Sequence, residues 1–138
     1  MEVTTVTVEV SITRGVMYHL TGLADVAVKE SHDRIAAALL NNGYQFPVAD
    51  ITANLAPADL RKEGSSFDLP LAIAILGATE KIASDHLSEY MLVGELSLDG
   101  TLQPIKGALP IAIKARAEKI KGQIVPKANE HEAAVVDT

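Results

Sequence analysis

The chain is 138 residues long, enough for one domain with a real hydrophobic core, since a chain of this size hides about 65–70% of the surface its unfolded form exposes. Hydrophobic residues make up 48% and charged residues 22%, which excludes general disorder, and the absence of cysteine excludes disulfides, thiolate metal sites and a cysteine nucleophile. Twelve basic against 18 acidic residues leave a net charge of −6, which argues against a whole-surface footprint for nucleic acid or an anionic membrane.

From Val6 the chain alternates, with Val6, Val8, Val10 and Ile12 on one side and Thr7, Glu9 and Ser11 on the other, the pattern of a half-buried strand. Arg14-Gly15 punctuates it, and Val16 to Leu20 is expected to return as the second strand of a hairpin. After Gly22, a helix is expected from about Ala24 to Leu40. Ala24, Val28, Ile35 and Leu39 fall on one side of it, and Asp25–Lys29 and Glu30–Arg34 form i,i+4 pairs on a solvated face. Asn41-Asn42-Gly43 closes that helix.

Ile51 to Leu55 reads as a strand and Ala56 to Ser66 as a polar loop. Leu69 to Ala78 is apolar all round, so it belongs in the middle of the domain, with Pro70 tolerated in its first turn and Ser65, Ser66 or Asp68 as its N-cap. Tyr90 to Val93 is a strand, and Glu95 to Pro104 is a hairpin turning at Asp99-Gly100. A helix follows from Leu109 to Ile120, with Lys114, Arg116, Lys119 and Lys121 on or just after it, then a short strand at Gln123 to Pro126. Asn129 and Glu132 have the spacing of a capping box that opens a last helix. Strands outnumber the helices between them, so the expected class is α+β, a two-layer mixed sheet with packed helices, forming a single domain over residues 1–138.

Little of this carries chemistry on its own. His19, His32, His86 and His131 are scattered, without the i,i+4 spacing of a helical metal site, and Glu130 and Glu132 do not face each other. No phosphate-binding glycine motif is present. With two Phe, three Tyr and no Trp, aromatic platforms for stacking bases are scarce. No apolar run approaches the roughly 18–20 residues of a membrane span, and Met1 to Val6 lacks the features of a secretory signal, so the expectation is a cytoplasmic protein with no membrane partner. The feature that stands out is Ser66 at the mouth of the apolar helix, where free N–H groups and the positive dipole end suit an oxyanion. A serine nucleophile there needs a base such as a desolvated lysine; simple capping needs none and is the favoured expectation.

Two stretches, Asn54 to Pro70 (NLAPADLRKEGSSFDLP) and Gly94 to Pro110 (GELSLDGTLQPIKGALP), resemble the N-terminal domain of magnesium-chelatase-like AAA+ ATPases of the ComM/YifB type. Gly22 to Ser31 and Ile124 to Pro126 also sit where that family has them, so the resemblance spans nearly the whole chain. It implies the ribosomal-protein-S5-domain-2-like fold, shared with the Lon peptidase domain. It also implies a piece of a longer chain whose downstream module binds ATP and Mg²⁺, a homo-oligomeric ring in the parent, and a link to DNA branch migration in recombination and transformation.

Laid on the Lon motifs, Arg61 to Asp68 puts Ser66 at the nucleophile, while Gly94 to Leu109 puts Leu109 where the catalytic lysine belongs. Lys106 lies three residues away at a glycine position, and a displacement of about 1 Å already costs about a hundredfold in rate. The resemblance therefore implies a peptidase fold without peptidase chemistry, no catalytic residue, cofactor or metal in this domain, and an accessory role in assembly or DNA engagement. The alternative is a Ser–Lys peptidase built on Ser66. Arg61, Lys62, Glu63, Gly64, Ser65 and Ser66 form the candidate binding loop, with Arg61-Lys62 and the Lys114–Lys121 cluster as candidate phosphate contacts.

Overall fold

The computed structural model describes residues 5–57, 64–83, 85, 87–105, 108–118, 120, 122–124, 126 and 129–134. In chain order the elements are β1 (Thr7–Thr13), β2 (Tyr18–Thr21), α1 (Asp25–Leu40), β3 (Asp50–Ala56), α2 (Asp68–Ala78), β4 (Tyr90–Leu92), β5 (Glu95–Leu96), β6 (Leu102–Gln103), α3 (Ala108–Ala117), β7 (Gly122–Ile124) and α4 (Glu130–Ala134). Short 3-10 turns precede α2 at Gly64–Phe67 and β4 at Leu87–Glu89. The α+β class is the one expected. Among the described residues the strands form a three-stranded mixed sheet, β1-β3-β2, and two-stranded ladders β4-β7 (parallel) and β5-β6 (antiparallel).

The expected β1–β2 hairpin does not form. Both strands pair with β3 instead, β1 antiparallel and β2 parallel, so β3 separates them. The reason lies in β3, whose Ile51, Ala53 and Leu55 are fully buried and whose central place gives it a partner on each edge. The connection from Arg14 to Met17 crosses the end of β3 rather than turning back on β1. The amide of Met17 donates to Asp50 Oδ1 at 2.9 Å, and the amide of Ile51 donates to the Met17 carbonyl at 2.8 Å. Asp50 fills the space a Cβ would need at Gly15, which adopts φ +151°.

The core beneath this sheet is aliphatic, as the composition requires: Leu20, Ile35, Leu39, Ile51, Leu55, Leu71, Ile75 and Leu76 with small Ala53 and Ala72. α2 lies centrally, with Leu69, Leu71, Ala72, Ile75, Leu76 and Gly77 buried. The serine and aspartate capping expected for it is not found. Its N-cap is Phe67, without a side-chain cap hydrogen bond, because the 3-10 turn runs straight into the helix and leaves no extended capping residue.

The C-terminal end of α1 fixes the β5–β6 hairpin. Asn41 Nδ2 donates to the Leu98 carbonyl (2.8 Å) and Asn42 Nδ2 to the Asp99 carbonyl (3.2 Å). Gly100, at φ +90°, is the residue the turn and the adjoining Asn42 side chain both demand. Within the turn, Asp99 Oδ1 accepts from the Thr101 amide at 2.9 Å and hydroxyl at 2.8 Å, which holds the Asp99 carboxyl below the usual carboxylate range, the amide contributing most. Asn129, placed just before α4, grips the Ile105 backbone with both ends of its carboxamide at 2.9 Å, a link between segments that its reading as a helix cap did not anticipate. No helix among the described residues is long and apolar enough to cross a membrane.

Candidate functional site

The two stretches that carry the family resemblance meet at one cleft of about 1000 Å³. One wall is the outward side of α2 (Pro70, Ile73, Ala74) with Ser66 and Phe67 of the preceding turn. The other walls include residues 5–8 leading into β1, residues 90–95 from β4 into β5, Pro104 and Ile105, and Ile111 of α3. Ser66 is exposed in this cleft, as its place at the helix mouth predicts. Among the described residues that line it, the titratable side chains are Tyr90 and Glu95, and none is a lysine, arginine or histidine. A serine hydroxyl becomes a nucleophile only when a neighbouring base removes its proton, and neither the Glu95 carboxylate nor the Tyr90 phenol supplies the amine of a Ser–Lys pair.

The residues expected to act with Ser66 are distributed as follows. Gly64, Ser65 and Ser66 form the 3-10 turn. Arg61, Lys62 and Glu63, and likewise Lys106, Lys119, Lys121 and His86, lie outside the described residues. Leu109 occupies the first turn of α3, half-buried, and among the described residues of α3 it is Ile111 that reaches the cleft. Lys114 pairs with Glu118 at 3.6 Å, and Glu118 also accepts from the Thr5 hydroxyl at 2.6 Å. Among the described residues no His, Asp or Glu cluster is placed to hold a metal ion.

The turn that carries Ser66 is anchored from beneath by a charged cluster that sequence reasoning missed. Asp68, the first residue of α2, is fully buried. Its Oδ1 accepts from the Ser31 hydroxyl at 2.8 Å and from Arg34 Nη2 at 3.2 Å, and its Oδ2 accepts from Arg34 Nε. Arg34 was expected to pair with Glu30 on a wet helix face. It stands 4.0 Å from Glu30 but turns its fork inward to Asp68, because a buried carboxylate without a cation would cost far more than a solvated pair returns. The hydrogen bond to Asp68, opposed by partial burial, holds Arg34 even more firmly protonated than usual, and the charges of Glu30 and Glu95 add to this. Tyr18 packs edge-on to His32 and Phe46, with ring centroids 5.5 and 5.6 Å away. Burial, with the Asp68 charge adding to it, pushes the Tyr18 phenol up to about 12. The available signal was a lone carboxylate opening an otherwise apolar run, which demands a buried partner somewhere else in the chain.

A family described as subunit ChlI of Mg-chelatase matches residues 8–129. The chain belongs to that family. The chain is 46% identical over 135 residues to the uncharacterized protein YifB of Escherichia coli and 42% identical over 132 residues to the competence protein ComM of Haemophilus influenzae, matches that cover 96% and 95% of this chain. It spans about a quarter of the length of each, 26%. A more distant likeness, 29% over 122 residues and 83% of this chain, joins it to Lon protease 2 of Thermus thermophilus, of which it covers 15%. This agrees with the Lon-like fold implied by the motifs. In this ChlI-family chain, the motif residues from both stretches border the same cleft, and Arg34 and Asp68 set the turn that presents Ser66 to it.

Proposed function

We propose that this chain is a non-catalytic accessory domain, one S5-domain-2-like unit over residues 1–138, of a longer magnesium-chelatase-like AAA+ ATPase in the cytoplasm. ATP and Mg²⁺ belong to the ATPase module of the same parent chain, and this domain serves assembly of the parent's ring. The observation that carries the reading is the cleft itself: Ser66 faces about 1000 Å³ of space whose described lining offers it no amine or imidazole. Leu109 at the position where the resemblance calls for lysine supports the same view, as does Phe67, a bulky residue beside Ser66 at the cleft wall.

A second reading, DNA engagement, draws on the basic segment around α3. Against it stand the net charge of −6 and the engagement of Lys114 by Glu118. The two readings separate in solution. Assembly gives a particle mass above that of one chain and no retention on DNA; DNA engagement gives binding whose affinity drops steeply between low and physiological salt, because phosphate contacts release counterions. A chain that stays single and binds DNA with that salt slope overturns the assembly reading in favour of the second.

A further inference from the structure

The cations of this chain are segregated. Residues 100–129 carry six Lys and Arg against Glu118 alone, a charge of +5, which leaves −11 on the remainder of a chain of net −6. Within the basic segment, α3 buries Ala112 and Ala115 and leaves Ile113, Arg116 and Ala117 exposed at i, i+3 and i+4, a single stripe of apolar and cationic character. Ile113 is 54% exposed and Ile124, in β7, 45%. On the acidic side, α1 turns Ser31, Ile35, Ala38 and Leu39 inward and exposes a second stripe at helical spacing: Val26, Glu30, Asp33 and Leu40. Val26 is 71% and Leu40 65% exposed, and the two acids between them are mostly exposed. Lys29 lies beside this stripe, Glu30 stands 4.0 Å from Arg34, and His32 lies 3.3 Å from Asp33; Asp25, Lys29, Glu30 and Asp33 together leave this face acidic.

We infer that the α3 stripe of one copy docks on the α1 stripe of the next. This rests on the assembly reading above and names its contact surface. Apolar side chains flanking a charge suit a protein partner better than a phosphate backbone, since apolar anchors with arginine are what interface centres favour. The chain's own −11 remainder supplies the complementary charge, so a second copy is the occupant. The two stripes are different surfaces, so the contact is head-to-tail. Such contacts close into a ring when the rotation permits.

The absence of cysteine makes the test direct. In the full chain, the double variant Asp33→Cys/Arg116→Cys, once oxidised, is expected to give a ladder of disulfide-linked multimers. Either single variant is expected to stay monomeric on a non-reducing gel. Charge exchange is the second arm: Arg116→Glu or Asp33→Lys alone lowers the multimer fraction by about tenfold, and the two together restore it, because like charges face each other only in the single variants. Dimers from a single-cysteine variant show a face pairing with itself and overturn the inference. A stable oligomer without a ladder overturns this contact and leaves assembly standing. A chain that shows neither overturns both.

Discussion

The two sides of the cleft are built differently. Beneath the β1-β3-β2 sheet, α1 and α2 enclose the whole continuous aliphatic cluster and a buried charged group, Asp68 with Arg34 and Ser31. On the other side, β4 to α4 contributes short two- and three-residue strands, and the buried side chains described on α3 are alanines. Stability therefore resides in the first region. The second, which carries half of the chain's lysines and arginines and exposes Ile113 and Ile124, contributes less to the core. The motif residues of the family lie along the seam.

Substitutions sharpen this contrast. Leu71→Ala, which empties a fully buried site in α2, is expected to cost about 2–5 kcal/mol in a denaturant titration, whereas Ile113→Ala on α3 costs less than about 0.5 kcal/mol. Equal losses at the two sites would break the comparison. Arg34→Met strands the Asp68 carboxylate and is expected to cost about 3 kcal/mol, toward the lower end for a broken buried pair because the Arg34 side chain is still 27% exposed. The double variant Arg34→Met/Asp68→Leu recovers much of that loss; a double variant as unstable as Arg34→Met alone would show that packing, not charge, holds the turn.

Tyr18→Phe reports on the same cluster in the opposite direction. The Tyr18 hydroxyl is buried with no hydrogen-bond partner among the described residues, so its removal is expected to stabilise by about 1 kcal/mol. Its raised ionisation adds a pH signature. The unfolded chain loses this proton near pH 10 and the native one near 12, so wild-type stability falls as pH rises through that window, by at most about 1.4 kcal/mol per unit. In Tyr18→Phe that part of the slope disappears, which thermal melts at pH 9, 10 and 11 would reveal. The smallest effect lies at the hairpin. The depressed Asp99 carboxyl stabilises the turn above its unfolded ionisation and releases it as pH falls below the usual carboxylate range, so Asp99→Ala should speed hydrogen exchange at the Thr101 amide at neutral pH while leaving Asn41 and α1 unchanged.

The local elements were legible because each has its own periodicity. The alternation from Val6, the all-apolar run after Asp68 and the Asp99-Gly100 turn specify strand, buried helix and hairpin without reference to anything distant. What was not legible depends on partners far apart in sequence. β3 lies between β1 and β2 through pairings with both, secured where Asp50 accepts from the Met17 amide 33 residues away, and the inward turn of Arg34 follows from Asp68, 34 residues away. Ser66 was identifiable as a helix-mouth hydroxyl, but the cleft in front of it is assembled from β1, β4 and α3 and has no local sequence signal.

Among the described residues, Ser66 faces its cleft with no lysine, arginine or histidine in the lining to activate it. Treating the chain with a fluorophosphonate, a reagent that captures activated serines, and reading the adduct by intact mass tests this most directly. Ser66 is expected to stay unmodified, with labelling no faster than in Ser66→Ala. A stoichiometric adduct on Ser66 that disappears in Lys106→Ala would contradict it.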